Sequence, residues 1–226
     1  MQWRRSLAWD PSRRGWRIAA LFMVGALIFA VGSFPAYAQN VDPGVVGVTF
    51  VVGALFFTAA AYSQFVEVIN DDRTDVDRTV RHWAWMPSRV LWWAAAVQFL
   101  GTVFFNFSTI DAMIDNLSVE QTNRLVWTPD FFGSVCFLIA SHLGWRHVCG
   151  RLWRVQRDNA DWWMAALNYL GSIFFMAAAI GAFTLDTGEA RNITVVNAGT
   201  FAGASCFFLG AYLLLPATAD QTTPQA

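Results

Sequence analysis

Few residues in this chain combine the right type with the right setting to do chemistry, and most of them lie inside long apolar stretches. Gln98 and Asn168 each sit three residues before a glycine that opens a repeated motif. Asn106, with Ser108 and Thr109 beside it, lies further along the same stretch as Gln98. Asp130 and His142 are the ionisable pair of another stretch. Polar groups inside a bilayer are expensive, so each is a default candidate for a translocation path, a proton carrier or a ligand site. The plainer reading is taken for the amides: a side-chain hydrogen bond that ties two helices, contributing about 0.6 kcal/mol on average. Asp130 and His142 stand about 18 Å apart along a helix and cannot pair. Asp130 follows Thr128 and Pro129, as a carboxylate in an ordinary first turn does.

Other combinations fail on spacing. His142 and His147 lie about 140° apart around a helix, so with Cys149 they do not converge on a metal. Asp71, Asp72, Asp75 and Asp77 lack the glycine and closing glutamate of a calcium loop. No phosphate loop, dinucleotide fingerprint, nucleophile elbow or zinc-protease motif is present. No nucleophile, base and metal come together, so an enzyme is not expected, and no metal or cofactor is called for.

The elements that must position these residues are set by composition. Of 226 residues, 56% are hydrophobic and 14% charged, too apolar for an ordinary soluble domain. Residues 18–41, 43–66, 90–110, 162–185 and 192–219 carry runs of the ~20 apolar residues needed to cross a bilayer. A sixth, between Asp130 and Arg146, is shorter and requires Arg146 to snorkel. Each run holds one signature, a glycine, a small residue and a phenylalanine four positions after the glycine. The glycines are Gly25, Gly53, Gly101, Gly133, Gly171 and Gly203, and the phenylalanines are Phe29, Phe57, Phe105, Phe137, Phe175 and Phe207. Lipid offers no hydrophobic gain for helix association, so close packing depends on small residues. The glycine supplies a notch and the phenylalanine, on nearly the same face, fills a neighbour's notch. The fold class expected is an all-α integral membrane protein of six transmembrane helices, built as three tandem hairpins in a pseudo-threefold bundle. The hairpins cover 16–69, 90–148 and 161–215, flanked by a tail at 1–15 and a polar, disordered tail at 216–226.

Orientation follows from charge. All fifteen basic residues are arginine, and thirteen precede the first helix or lie in the two loops joining the hairpins. The other loops hold only Arg124 and Arg191, so both termini are placed in the cytoplasm by the positive-inside rule. Eleven of the twelve tryptophans share that side, as an interfacial belt does; Trp127 is the exception. The start of the chain imitates a secretory signal, with Ala36-Tyr-Ala38 before Gln39. The same Trp, Ala-Ala and Gly spacing recurs at Trp92 and Trp162, so the first run is read as a retained helix. A net charge of −1 gives no reason to expect a nucleic-acid partner.

The unit resembles that of the YrhK-like family of small membrane proteins. The resemblance is carried by Gly171-Ser-Ile-Phe-Phe175, Phe104-Phe-Asn-Phe-Ser-Thr109, Gly199-Thr-Phe-Ala-Gly203 and Leu215-Pro216. It implies a membrane hairpin and no reaction. The function expected is therefore that of a structural or accessory protein of the cell membrane, binding lipid, a partner subunit or further copies of itself. A small transporter or channel is the alternative. Polar residues converging on one cavity would favour transport, and a dry, filled axis would favour the accessory role.

Overall fold

An apolar run in a bilayer has no water to satisfy its backbone, so it must close its own hydrogen bonds as helix. The computed structural model describes residues 9–71, 79–150, 155–156 and 158–220, with side chains as far as 215, and it is helical almost throughout. The remaining residues, including Arg4, Arg5, Arg73, Arg78, Arg151, Arg154, Arg157 and the three aspartates 72, 75 and 77, lie outside this description. The elements are α1 (Arg14–Ser33), α2 (Pro35–Asn40), α3 (Pro43–Asn70), α4 (Val90–Asp111), α5 (Val119–Thr122), a π-helical turn (Asn123–Trp127), α6 (Thr128–Cys149), α7 (Ala160–Gly181) and α8 (Ile193–Asp220). Among the described residues five helices, α1, α3, α4, α7 and α8, are long and apolar enough to cross a membrane. The chain is thus read as a multi-pass membrane protein. Helix α6 is as long as α4 but less apolar.

The long helices close a ring. Helix α1 packs on α3, α4 on α6 and α7 on α8; α3 also packs on α4, α6 on α7, and α8 on α1. The signature explains the tightness of the first three contacts. A methyl carbon on Gly25 would lie 3.1 Å from the Gly53 carbonyl oxygen, and one on Gly101 would lie 3.1 Å from that of Gly133. The third pair repeats the arrangement, with 3.1 Å from Gly171 to the Gly203 oxygen. Each such distance is tighter than ordinary van der Waals contact, so the two backbones can approach only where side chains are absent. The small residue after each glycine is sealed: Ala26, Ala54, Thr102, Ser134, Ser172 and Ala204 are at most 1% exposed. Two of them join α6 to α7, where Ser172 Oγ donates to the Phe137 carbonyl (3.2 Å) and Ser134 Oγ to that of Phe175 (3.4 Å).

The connections carry ordinary local chemistry. Asp42 caps α3, its carboxylate accepting from the Gly44 N–H at 2.9 Å. Ser118 and Gln121 form a reciprocal capping box on α5, as the Ser-x-x-Gln spacing predicts. Gly150 ends α6 in the left-handed region, at φ 62°. Two local readings of the sequence are revised. Helix α5, the π-helical turn and α6 run on without a break, and Thr128 Oγ1 donates to the Asn123 carbonyl at 2.7 Å. Asp130 keeps its expected place in the first turn of α6 beside Pro129, but that turn follows directly on the π-helical one instead of opening a free helix. Helix α8 continues past Pro216 to Asp220, further than the polar composition of the tail predicts.

Candidate functional site

Seven residues, close to two helical turns, separate the position three before each signature glycine from the phenylalanine four after it. Both therefore point the same way. In the ring that direction is the central axis. The six phenylalanines meet there in two stacked triads. Phe57, Phe137 and Phe207, from α3, α6 and α8, stand with ring centres 5.7 to 6.5 Å apart. Phe29, Phe105 and Phe175, from α1, α4 and α7, form the second triad, Phe175 lying 6.1 Å from Phe29 and 5.9 Å from Phe105. Within each helix pair one ring of each triad meets the other, at 5.5 Å (Phe29–Phe57), 5.2 Å (Phe105–Phe137) and 5.5 Å (Phe175–Phe207). The space left among them is about 10 Å³, at the lower limit of what one water needs.

A cavity lies on each side of this double layer. The first, of about 200 Å³, has Phe57, Phe137 and Phe207 in its wall and is lined by residues of all six long helices. The second, of about 280 Å³, has Phe29, Phe105 and Phe175 in its wall and also draws on all six. The residues three before the glycine divide between them. Phe22, Gln98 and Asn168, from α1, α4 and α7, line the first cavity. Phe50, Asp130 and Thr200, from α3, α6 and α8, line the second.

The first cavity is mostly apolar, with a few polar side chains set into its wall. Gln98 Nε2 donates to Gln64 Oε1 of α3 at 3.2 Å, so this amide does tie two helices while it lines the cavity. Ser141 and Ser172 add hydroxyls, and Ser172 Oγ also donates to the Asn168 carbonyl at 2.9 Å. Asn168 lies against α8 at Gly210, where a methyl carbon would stand 2.9 Å from Asn168 Oδ1. Among the described residues that line this cavity, His147 alone is ionisable. The second cavity holds the single carboxylate of Asp130 among hydroxyls that include Ser108, Thr109 and Thr200. Trp127, one turn before Asp130, is fixed by its Nε1–H, which donates to the Ala179 carbonyl at 2.9 Å.

The structure thus brings Gln98 and Asn168 to one cavity and places Asp130 in the other. It brings neither His142 nor Asn106 to either. His142 packs against Tyr169 with ring centres 5.9 Å apart. Asn106 bridges α4 to α3, its Nδ2 donating to Thr58 Oγ1 at 2.7 Å, and its Oδ1 is buried without a partner among the described residues. His82 is engaged through Nδ1 with the Tyr62 hydroxyl at 2.8 Å. No group of three histidine, cysteine, aspartate or glutamate side chains gathers at one point among the described residues. Sequence reasoning missed Gln64, which has no counterpart at its own position in α6 or α8, where Gly144 and Leu214 stand. It also gave the phenylalanines a packing role only. The signal for their second role was present, since all six share one register with the residue seven places earlier. Compared with family models, with curated proteins and with solved structures, the chain finds no match in any of the three.

Proposed function

We propose that this chain is a six-span conduit for small polar solutes, closed at mid-depth by its phenylalanine double layer. One observation carries the reading: two cavities, each lined from all six long helices, face one another across a single apolar constriction. Hydrophobic constrictions gate pores by expelling water. Packing alone would be served by apolar residues at every axial position. Here four of the six positions before the glycines are Gln98, Asn168, Asp130 and Thr200, and all four border open space.

In this reading α6 is the sixth span, its shortfall in apolarity matched by its place between α4 and α7 and by Asp130 facing a cavity instead of lipid. Three YrhK-like hairpins, α1 with α3, α4 with α6 and α7 with α8, are arranged about a pseudo-threefold axis. The reciprocal glycine contacts and the stacked triads support this arrangement. The cavity of Gln98 faces the cytoplasm and that of Asp130 the outside, with both termini cytoplasmic and the protein in the cell membrane.

The double layer also supports a second reading, an accessory membrane protein that binds lipid or a partner subunit, because about 10 Å³ of free space is a filled axis. Vesicle flux separates the two. Purified protein in liposomes should raise the permeability to glycerol or urea, measured by stopped-flow light scattering, above that of empty liposomes. Gln98→Leu and Asn168→Leu should each reduce that gain with folding intact. Liposomes no more permeable than the empty control, with wild type and with both variants, would leave the accessory reading.

A further inference from the structure

Among the described residues, the cavity that holds Asp130 is built unlike its counterpart across the phenylalanine layer. Its ionisable lining is one carboxylate, and no hydrogen bond or ion pair engages that group. The basic residues of the neighbouring loops do not neutralise it: Arg124 and Arg191 are exposed and neither lines the cavity. Around it stand five aromatic rings, Trp127, Phe29, Phe50, Phe105 and Phe175. Trp127 and Asp130 are neighbours on one helix face, about 5 to 6 Å apart at Cβ.

Trp127 is itself stacked on Phe131 and packed against Phe183, so it offers a fixed aromatic wall, and an unpaired carboxylate in a cavity with such walls attracts a particular class of ligand. A small, strongly hydrated ion such as sodium gains little from aromatic walls, whereas an organic cation meets the negative ring faces without that loss of hydration. A neutral solute of the same shape would leave the carboxylate unpaired. We propose that the Asp130 cavity binds a small organic cation of the alkylammonium class, with Asp130 as counter-ion and Trp127 and the phenylalanines as walls. About 280 Å³ accommodates a ligand of a few heavy atoms, below the size of most drug-sized pockets. The inference names the solute class for the conduit proposed above and rests on that reading for its link to transport.

The test uses full-length protein in nanodiscs, titrated calorimetrically with choline and with dimethylbutanol, its neutral isostere carrying carbon in place of nitrogen. Choline should bind saturably and sodium chloride should not displace it. The alcohol should bind at least about tenfold more weakly, the order expected when one member of a desolvated charge pair is removed. Asp130→Asn should bring choline down to the level of the alcohol. Equal affinity for the two probes on wild-type protein would overturn the proposal, and that comparison holds even if Asp130→Asn fails to fold. So would undiminished choline binding to a folded Asp130→Asn variant, competition by sodium, or no saturable choline binding. Choline uptake into liposomes is measured in parallel. Choline binding with neither choline uptake nor glycerol or urea flux upholds the cation site and removes the conduit; glycerol or urea flux without choline binding does the reverse.

Discussion

Truncating Phe137 tests the double layer most directly. Its side chain is 5% exposed and meets Phe105, Phe207 and Phe57 at 5.2, 5.7 and 6.5 Å. Phe137→Ala leaves a void on the order of 100 Å³, which at about 24 cal/mol per Å³ costs about 2.4 kcal/mol. The transfer term that raises such losses to about 3–5 kcal/mol in soluble cores is largely missing, because lipid is as apolar as the bundle interior. The expected destabilisation is therefore about 2 to 3 kcal/mol, a fall of about 5 to 10 °C in midpoint for a chain of this length. Phe132, 50% exposed, is the control, and Phe132→Ala should cost less than about 0.5 kcal/mol. Permeability should not follow stability. A void walled by aromatic rings stays dry, so Phe137→Ala should remain as tight as wild type. Phe137→Asn puts an amide in the same space, needs water as its partner, and should join the two cavities into a leak. Thermal unfolding in detergent and stopped-flow permeability in liposomes read the two effects separately. Equal stability of Phe137→Ala and Phe132→Ala would refute the packing argument. A folded Phe137→Asn no leakier than wild type would show that the rings are not the barrier.

Three further outcomes are expected. Gly101→Leu should lower thermal stability far more than Phe104→Leu, because a methyl carbon there would already lie 2.9 Å from Cys136 Cβ and 3.1 Å from a backbone oxygen; equal midpoints would remove the notch from the account. Asn106→Leu should change stability by less than about 1 kcal/mol in either direction, since it gives up the bond to Thr58 but also removes a buried oxygen that has no partner. A loss of several kcal/mol in the same unfolding assay would assign Asn106 a larger role. Reporter fusions after Ala38, Glu120 and Glu189 should report the outside, and those after Asp77, Asn159 and Ala226 the cytoplasm; two successive fusions on one side would break the six-span topology, and a mature chain beginning at Gln39 would show that α1 is a cleaved signal.

Much of the fold could be read from the chain because it is repetitive. A glycine that recurs with a small residue after it and a phenylalanine at the fourth place has few uses in a bilayer. The helices it defines appear close to the expected bounds except in the first run, where α1 ends at Ser33 and a break at Phe34 before Pro35 starts the short helix α2. What spacing could not give was the partner of each face. The glycine and the phenylalanine lie close together around one helix, which says that the ring fills a neighbour's notch but not which neighbour. It is the hairpin partner, and the axis is reached as well: a methyl carbon on Gly53 would meet Phe29 at 2.6 Å and one on Gly203 would meet Phe175 at 2.7 Å. Each of these rings thus covers the opposite glycine while its far side reaches the axis, where six chain segments far apart in sequence meet. Asn106 was hidden for the same reason. It is an amide mid-helix like Gln98, but five residues on from the glycine instead of three before it, which turns it toward α3 and away from either cavity.

The cavities also follow from the difference between the two halves of the heptad. Where the axial residue is phenylalanine in all six helices, the rings interlock and about 10 Å³ remains. Seven residues earlier the six helices contribute Phe22, Gln98 and Asn168 toward one end and Phe50, Asp130 and Thr200 toward the other. Shorter and polar side chains cannot fill an axis that six aromatic rings fill, and polar walls are what allow a void to hold water. Neighbouring helices run in opposite directions, so one sequence register sends the axial residue of α1, α4 and α7 toward one end and that of α3, α6 and α8 toward the other. Oppositely directed helices that carry the same signature therefore place, from one short motif, a filled centre with a cavity on each side. In each trio the first hairpin supplies phenylalanine, and the polar residues come from the second and third. The polar residues at this register thus come from α4, α6, α7 and α8, while α1 and α3 contribute aromatic walls.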